Sequence, residues 1–127
     1  MNDRGILWLK LDTQSRARLS AAYPAKYHDT YYDHVTLLFG VLRKDVEEYI
    51  GQEAQTSGYA YVDNGYIEAL RVDSGDLPDT YGVPHITLSA ESGTDPFESV
   101  AMLINDHSET PRDAPLVITG TIQFISL

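Results

Sequence analysis

The chain has no cysteine among its 127 residues, which excludes a disulfide framework, a thiolate zinc site and a cysteine nucleophile. It is also poor in positive charge, with nine Lys and Arg against nineteen Asp and Glu and a net charge of −10. Long nucleic acid is gripped by neutralising many phosphates along a basic track, so long DNA is not an expected partner. A small anionic ligand needs only two or three donors and remains compatible with this balance. Long apolar runs are missing as well, and none approaches the roughly 20 residues that span a bilayer. The N-terminus, Met1-Asn2-Asp3-Arg4, does not open a signal segment, because Leu11-Asp12 already ends the run that begins at Gly5. The expectation is a soluble cytoplasmic protein with no membrane partner, monomeric by default, its oligomeric state left open. Phosphate-cradling glycine loops, the H-E-x-x-H ligand spacing and a serine nucleophile elbow are absent too, so neither a cofactor nor a metal is expected.

What the chain does have is one short pattern twice. Asp33-His34-Val35-Thr36-Leu37-Leu38 returns as Pro84-His85-Ile86-Thr87-Leu88-Ser89, 51 residues further on. Strand side chains alternate between faces, so His34 and Thr36 share one face while Val35 and Leu37 occupy the other. His85 and Thr87 stand in the same relation to Ile86 and Leu88. Two imidazole–hydroxyl pairs on rigid elements can move protons around a bound phosphate. Two half-buried strands that happen to carry Thr beside His would give the same pattern without any chemistry.

The length and the 43% hydrophobic content suit one globular domain, residues 1–127, with two halves of similar order at about 5–63 and 66–126. Gly5 to Leu11 reads as a strand, and residues 13–22 as a short helix capped by Asp12 or Thr13. The first His strand covers residues 33–39. Val46, Tyr49, Ile50 and Ala54 then recur at helical spacing, predicting a helix from Arg43 to about Gln55. Tyr59–Asp63 and Tyr66–Val72 flank Asn64-Gly65, a strong hairpin signal. A turn-rich loop from Asp73 to Pro84 leads to the second His strand at 85–90. Asp95, Pro96 and Glu98 then start a helix whose apolar stripe is Phe97, Val100, Ala101 and Ile104. After a loop at 106–115, Leu116, Ile118, Ile122 and Phe124 mark a half-buried last strand. The expected fold class is α+β, with two pseudo-symmetric lobes of antiparallel sheet, flanking helices and a central cleft.

The paired H-Φ-T-Φ pattern on this strand order resembles the two-histidine (2H) phosphoesterase superfamily, through His34-Val35-Thr36-Leu37 and His85-Ile86-Thr87-Leu88. Its members include RNA 2′,3′-cyclic phosphodiesterases, the phosphodiesterase domains of tRNA ligases, and phage enzymes that destroy cyclic-oligonucleotide immune signals. The resemblance implies a cleft where the two motifs meet, with His34, Thr36, His85 and Thr87 as catalytic residues. The chemistry stands on its own terms. One neutral and one cationic imidazole can deprotonate an attacking oxygen and protonate a leaving one without a metal. The threonine hydroxyls would hydrogen-bond the non-bridging phosphate oxygens. Which histidine is the base is open.

Three further residues are candidates for substrate binding. Tyr32 and Tyr81 precede the motifs and could stack on a base, although packing is the plainer use of a tyrosine. Lys44, beside Arg43, could hold phosphate, although a solvated helix start explains it as well. Asp33 could orient a histidine, yet strand alternation argues against contact with its neighbour His34. His28 and His107 sit in polar, turn-like surroundings and carry no expected role. The preferred function is a metal-independent phosphodiesterase acting on a small nucleotide, either a 2′,3′-cyclic phosphate or a short cyclic oligonucleotide. The alternatives are a non-catalytic nucleotide- or phosphate-binding module using the same cleft, and a structural or interaction protein.

Overall fold

The computed structural model of the chain describes residues 4–73, 84–95, 98–105 and 109–126. In chain order the elements are β1 (Arg4–Leu11), α1 (Thr13–Ala22), β2 (Asp29–Thr30), β3 (His34–Leu42), α2 (Arg43–Val46), β4 (Glu53–Asp63), β5 (Ile67–Val72), β6 (His85–Ala90), α3 (Glu98–Asn105) and β7 (Glu109–Ser126). The strands pair in the order β6-β3-β1-β7-β4-β5, and β5 then pairs with β6, closing an antiparallel barrel of six strands. The two-residue β2 extends the sheet beside β6.

The expected two-lobed α+β arrangement is therefore corrected to a predominantly β fold, with the helices short and peripheral. The reason lies in strand pairing. β1 and β4 from the first half both pair with β7 from the second, and β3 pairs with β6. The halves are interleaved and cannot form separate lobes. Alternation of apolar residues fixes which face of a strand is buried, but not which strand lies beside it.

The barrel interior is filled by alternate residues of its strands. Leu7 and Leu9 of β1, Val35 and Leu37 of β3, Ile86 and Leu88 of β6, and Ile118 of β7 are fully buried. Gly58 of β4 is required here, because a Cβ at that position would stand 2.2 Å from Leu70 Cδ2. A register shift follows between Gly58 and Ala60. Such a bulge exchanges the two faces of a strand. Beyond it, Ala60 is buried and Val62 packs with Ile67, Ala69, Ala90, Met102 and Leu103 in a second, smaller cluster beneath α3.

Local signals explain α1 and the hairpin. Asp12 caps α1 by accepting from the Ser15 N–H at 2.8 Å, and Leu19 turns its side chain into the core. At the β4–β5 turn, Asn64 Oδ1 accepts from the N–H groups of Tyr66 and Ile67, while Gly65 takes φ +94°.

Two further expectations are corrected. The helix expected from Arg43 to Gln55 stops at Val46. Beyond it the chain makes tight turns, with N–H groups bonding three residues back, from Tyr49 to Val46 and from Ile50 to Glu47. Gly51 then takes φ +90°, its N–H bonds Ile122 O on β7, and the backbone continues as β4. Ladder bonds to β7 thus outweigh the helical periodicity of the side chains. The expected loop at 106–115 is likewise strand from Glu109 onward. Pro96, Phe97, Tyr81 and His107 lie outside the described residues, as do the side chains of Val100, Ala101 and Ile104.

Candidate functional site

Because Val35 and Ile86 face the barrel interior and pair directly, their neighbours in both motifs face outward. Continuing that antiparallel register sets His34 opposite Thr87 and Thr36 opposite His85. On the far side of β3, Lys10 of β1 pairs with His34 and Trp8 with Thr36. On the far side of β6, Ala69 of β5 pairs with Thr87 and Arg71 with His85. Two rows thus cross four strands on the outer wall: Lys10–His34–Thr87–Ala69 and Trp8–Thr36–His85–Arg71. With strands about 4.8 Å apart, each row spans roughly 14 Å. All four expected catalytic residues meet here, each half-buried. They meet on the barrel's outer wall, and the expected cleft between lobes is corrected accordingly.

The two histidines have different surroundings. His34 lies against Trp8, with ring centroids 4.2 Å apart and planes tilted by 34°. Its Nδ1 is 3.4 Å from Asp33 Oδ2, and the other carboxylate oxygen of Asp33 is paired with Lys10 Nζ. Burial holds His34 below the ordinary imidazole value of 6.5, with Asp33 pulling it back up and Lys10 adding to the downward push. For Asp33, burial works upward, but the hydrogen bonds and charges of Lys10 and His34 prevail and leave it below its ordinary value. The sequence argument against an Asp33–His34 contact fails because β3 begins only at His34. Asp33 precedes the strand, so alternation does not govern its direction.

His85 is held by a hydroxyl. Its Nε2 is 2.8 Å from Ser99 Oγ of α3, and the same oxygen is 3.1 Å from Thr87 Oγ1. Ser99 is 1% exposed, so α3 closes over this side of the second motif. Arg71 is committed to structure: its Nη2 donates to Leu103 O at 2.7 Å, and its guanidinium pairs with Glu109 at 2.6 Å.

The substrate-binding candidates fare worse. Tyr32 is 7% exposed and belongs to the main core, with φ +52° and its hydroxyl donating to Tyr23 O at 2.6 Å. Burial pushes its phenol up to about 12, and no face is free to stack on a base. Lys44 is exposed on α2, beyond the far end of β3. Eight steps along the strand separate His34 from Leu42, roughly 26 Å. The candidate Tyr81 is outside the described residues.

Lys10, Trp8 and Ser99 were missed by the sequence reading. Alternation in Gly5–Leu11 does place Trp8 and Lys10 opposite the buried leucines, but only pairing reveals β3 as their neighbour. The sequence puts the inward face of α3 at Phe97, Val100, Ala101 and Ile104, whereas the buried side chains described there are Ser99, Met102 and Leu103. A concavity of about 440 Å³ lies elsewhere, lined by residues including Asp12, Glu53, Gln55, Thr119 and Thr121. Its two carboxylates make it a poor home for phosphate. Among the described residues, no three His, Asp or Glu side chains gather as a metal site requires. Also among them, no helix is long and apolar enough to cross a membrane. No protein-family model matches the chain, and no curated protein matches it.

Proposed function

We propose that this protein is a metal-independent phosphodiesterase of the two-histidine type, acting in the cytoplasm on a small nucleotide phosphodiester. The carrying observation is the direct pairing of Val35 with Ile86, which aligns His34 with Thr87 and Thr36 with His85 on one outward face. The four groups are related by a local two-fold axis through that pair. A phosphate above the axis would meet one imidazole and one hydroxyl from each strand. The base takes a proton from the attacking oxygen, either water or a neighbouring ribose hydroxyl. The acid gives one to the leaving oxygen, while Thr36 and Thr87 hold the non-bridging oxygens as charge builds on them.

The substrate is a nucleoside 2′,3′-cyclic phosphate or a short cyclic oligonucleotide, the latter being the class destroyed by phage counter-defence enzymes. A net charge of −10 and the pairing of Lys10 and Arg71 with acids favour a ligand of few phosphates over structured RNA. The second reading, a non-catalytic nucleotide- or phosphate-binding module, is favoured by one observation, the engagement of His85 Nε2 by Ser99.

The test is hydrolysis, with EDTA present throughout, of the nucleoside 2′,3′-cyclic monophosphates, a 2′-5′-linked dinucleotide and several cyclic di- and trinucleotides. Wild type and His34→Ala are run side by side. Cleavage that survives EDTA and disappears in the variant is the expected result. Binding without cleavage of any compound would move the assignment to the second reading.

A further inference from the structure

We propose that Asp33 is a positioning residue which, anchored by Lys10, presents His34 to the substrate as the base. The inference rests on the phosphodiesterase reading and divides its two histidines into roles.

Asp33 Oδ2 lies 3.4 Å from His34 Nδ1. A carboxylate has only lone pairs to offer, so the favourable partner is the Nδ1–H tautomer. The opposite tautomer would set the Nδ1 lone pair against those of the carboxylate. With the proton on Nδ1, Nε2 is the nitrogen left to accept one. A separation of 3.4 Å is long for a charge-assisted bond, as is common where a contact tightens only with substrate bound.

Among the described residues, the charged groups that act on His34 are Asp33, just before its own strand, and Lys10 on β1, while Trp8 covers a ring face. Lys10 anchors the Asp33 carboxylate through its other oxygen, and its charge offsets the tendency of Asp33 to keep His34 cationic. Trp8 restrains the ring plane at 4.2 Å. Burial is the main influence that holds the imidazole below its ordinary value, and when Nε2 takes a proton the Asp33 carboxylate already stands at Nδ1 to stabilise the cation. With His34 as the base, His85, whose Nε2 is 2.8 Å from Ser99 Oγ, is the imidazole that supplies the acid's proton.

The experiment combines imidazole ¹⁵N NMR with kinetics, on wild type, Asp33→Asn and Lys10→Met. The expected wild-type spectrum has the His34 proton on Nδ1, and Asp33→Asn moves it toward Nε2. The two variants should shift the His34 titration in opposite directions. Loss of the carboxylate lowers it, and loss of the ammonium raises it. The acidic limb of the pH–kcat profile should follow in the same senses, with kcat about tenfold lower in Asp33→Asn and KM little changed. A purely structural role would give neither opposite shifts nor a change of tautomer. An unchanged tautomer in Asp33→Asn, or shifts of the same sign, would overturn the proposal even if wild type cleaves every substrate. Absence of cleavage by wild type, with the NMR result intact, would instead sink the phosphodiesterase reading and leave the positioning contact standing. If Asp33→Asn fails to fold, Lys10→Met carries the titration test alone.

Discussion

The two His-Thr strands are alike inside the barrel and unlike outside it. Val35 and Leu37 are as completely buried as Ile86 and Leu88. On the outer wall, however, β3 is flanked by β1, whose Lys10 and Trp8 reach toward His34, whereas β6 is flanked by β5 and covered by α3. One imidazole is held by a carboxylate and a ring face, the other by a serine hydroxyl. The same four-residue pattern thus acquires two chemical characters from its neighbours. A motif specifies which groups stand together, while the adjoining strands decide how each group holds its proton.

The severest test of that contrast is removal of each imidazole in turn. His34→Ala and His85→Ala should each reduce kcat on a 2′,3′-cyclic nucleotide by about 10²- to 10⁴-fold, measured with EDTA present. If only one variant loses turnover, the motifs do not form a catalytic pair. Next in size is the inner likeness: Leu37→Ala and Leu88→Ala should each cost about 2–5 kcal/mol in urea denaturation. A much smaller loss for one of them would mean that the barrel packs less evenly than its burial suggests.

Ser99→Ala addresses the outer difference. It removes the hydroxyl shared by His85 and Thr87, at a cost of about 1 kcal/mol, and should leave the NMR titration of His34 untouched. A parallel shift at His34 would show the two sites to be coupled. The smallest effect is a pH dependence. The folded chain holds His34 below 6.5, so between that lowered value and 6.5 the unfolded chain binds the proton more readily. Stability from this group is complete above 6.5 and declines as pH falls through the window. His34→Gln should therefore flatten the thermal midpoint between about pH 7 and pH 5 relative to wild type.

Much of the local structure was legible in the sequence. Helix α1 begins beside the cap expected of Asp12, the Asn64-Gly65 turn joins β4 to β5, and both His strands lie where alternation puts them. These features depend on side chains within a few residues of one another. The barrel was not legible, because its closure depends on pairings such as Leu9 with Ile122 and Leu70 with Ile86, which no local pattern encodes. The segment after Val46 shows the same limit. Tyr49, Ile50 and Ala54 are spaced as on a helix and do pack against the core, but from turns and a strand. At the site, the motifs named the four central residues, and the environment that distinguishes them came from strands far away in the chain. Tyr32 and Lys44 failed for a related reason: nearness in sequence to a motif is not nearness to its outward face.

Among the described residues, β3 and β6 share a single ladder pair, Val35 with Ile86, whereas β1 and β7 share seven. The barrel is a ring with one clasp, and both histidines sit on it. Backbone amides at this clasp should exchange with solvent by local opening before those of the β1–β7 ladder do. A ligand spanning both rows would hold the clasp shut, so occupancy of the site would slow exchange around the whole ring and raise the unfolding temperature with ligand concentration.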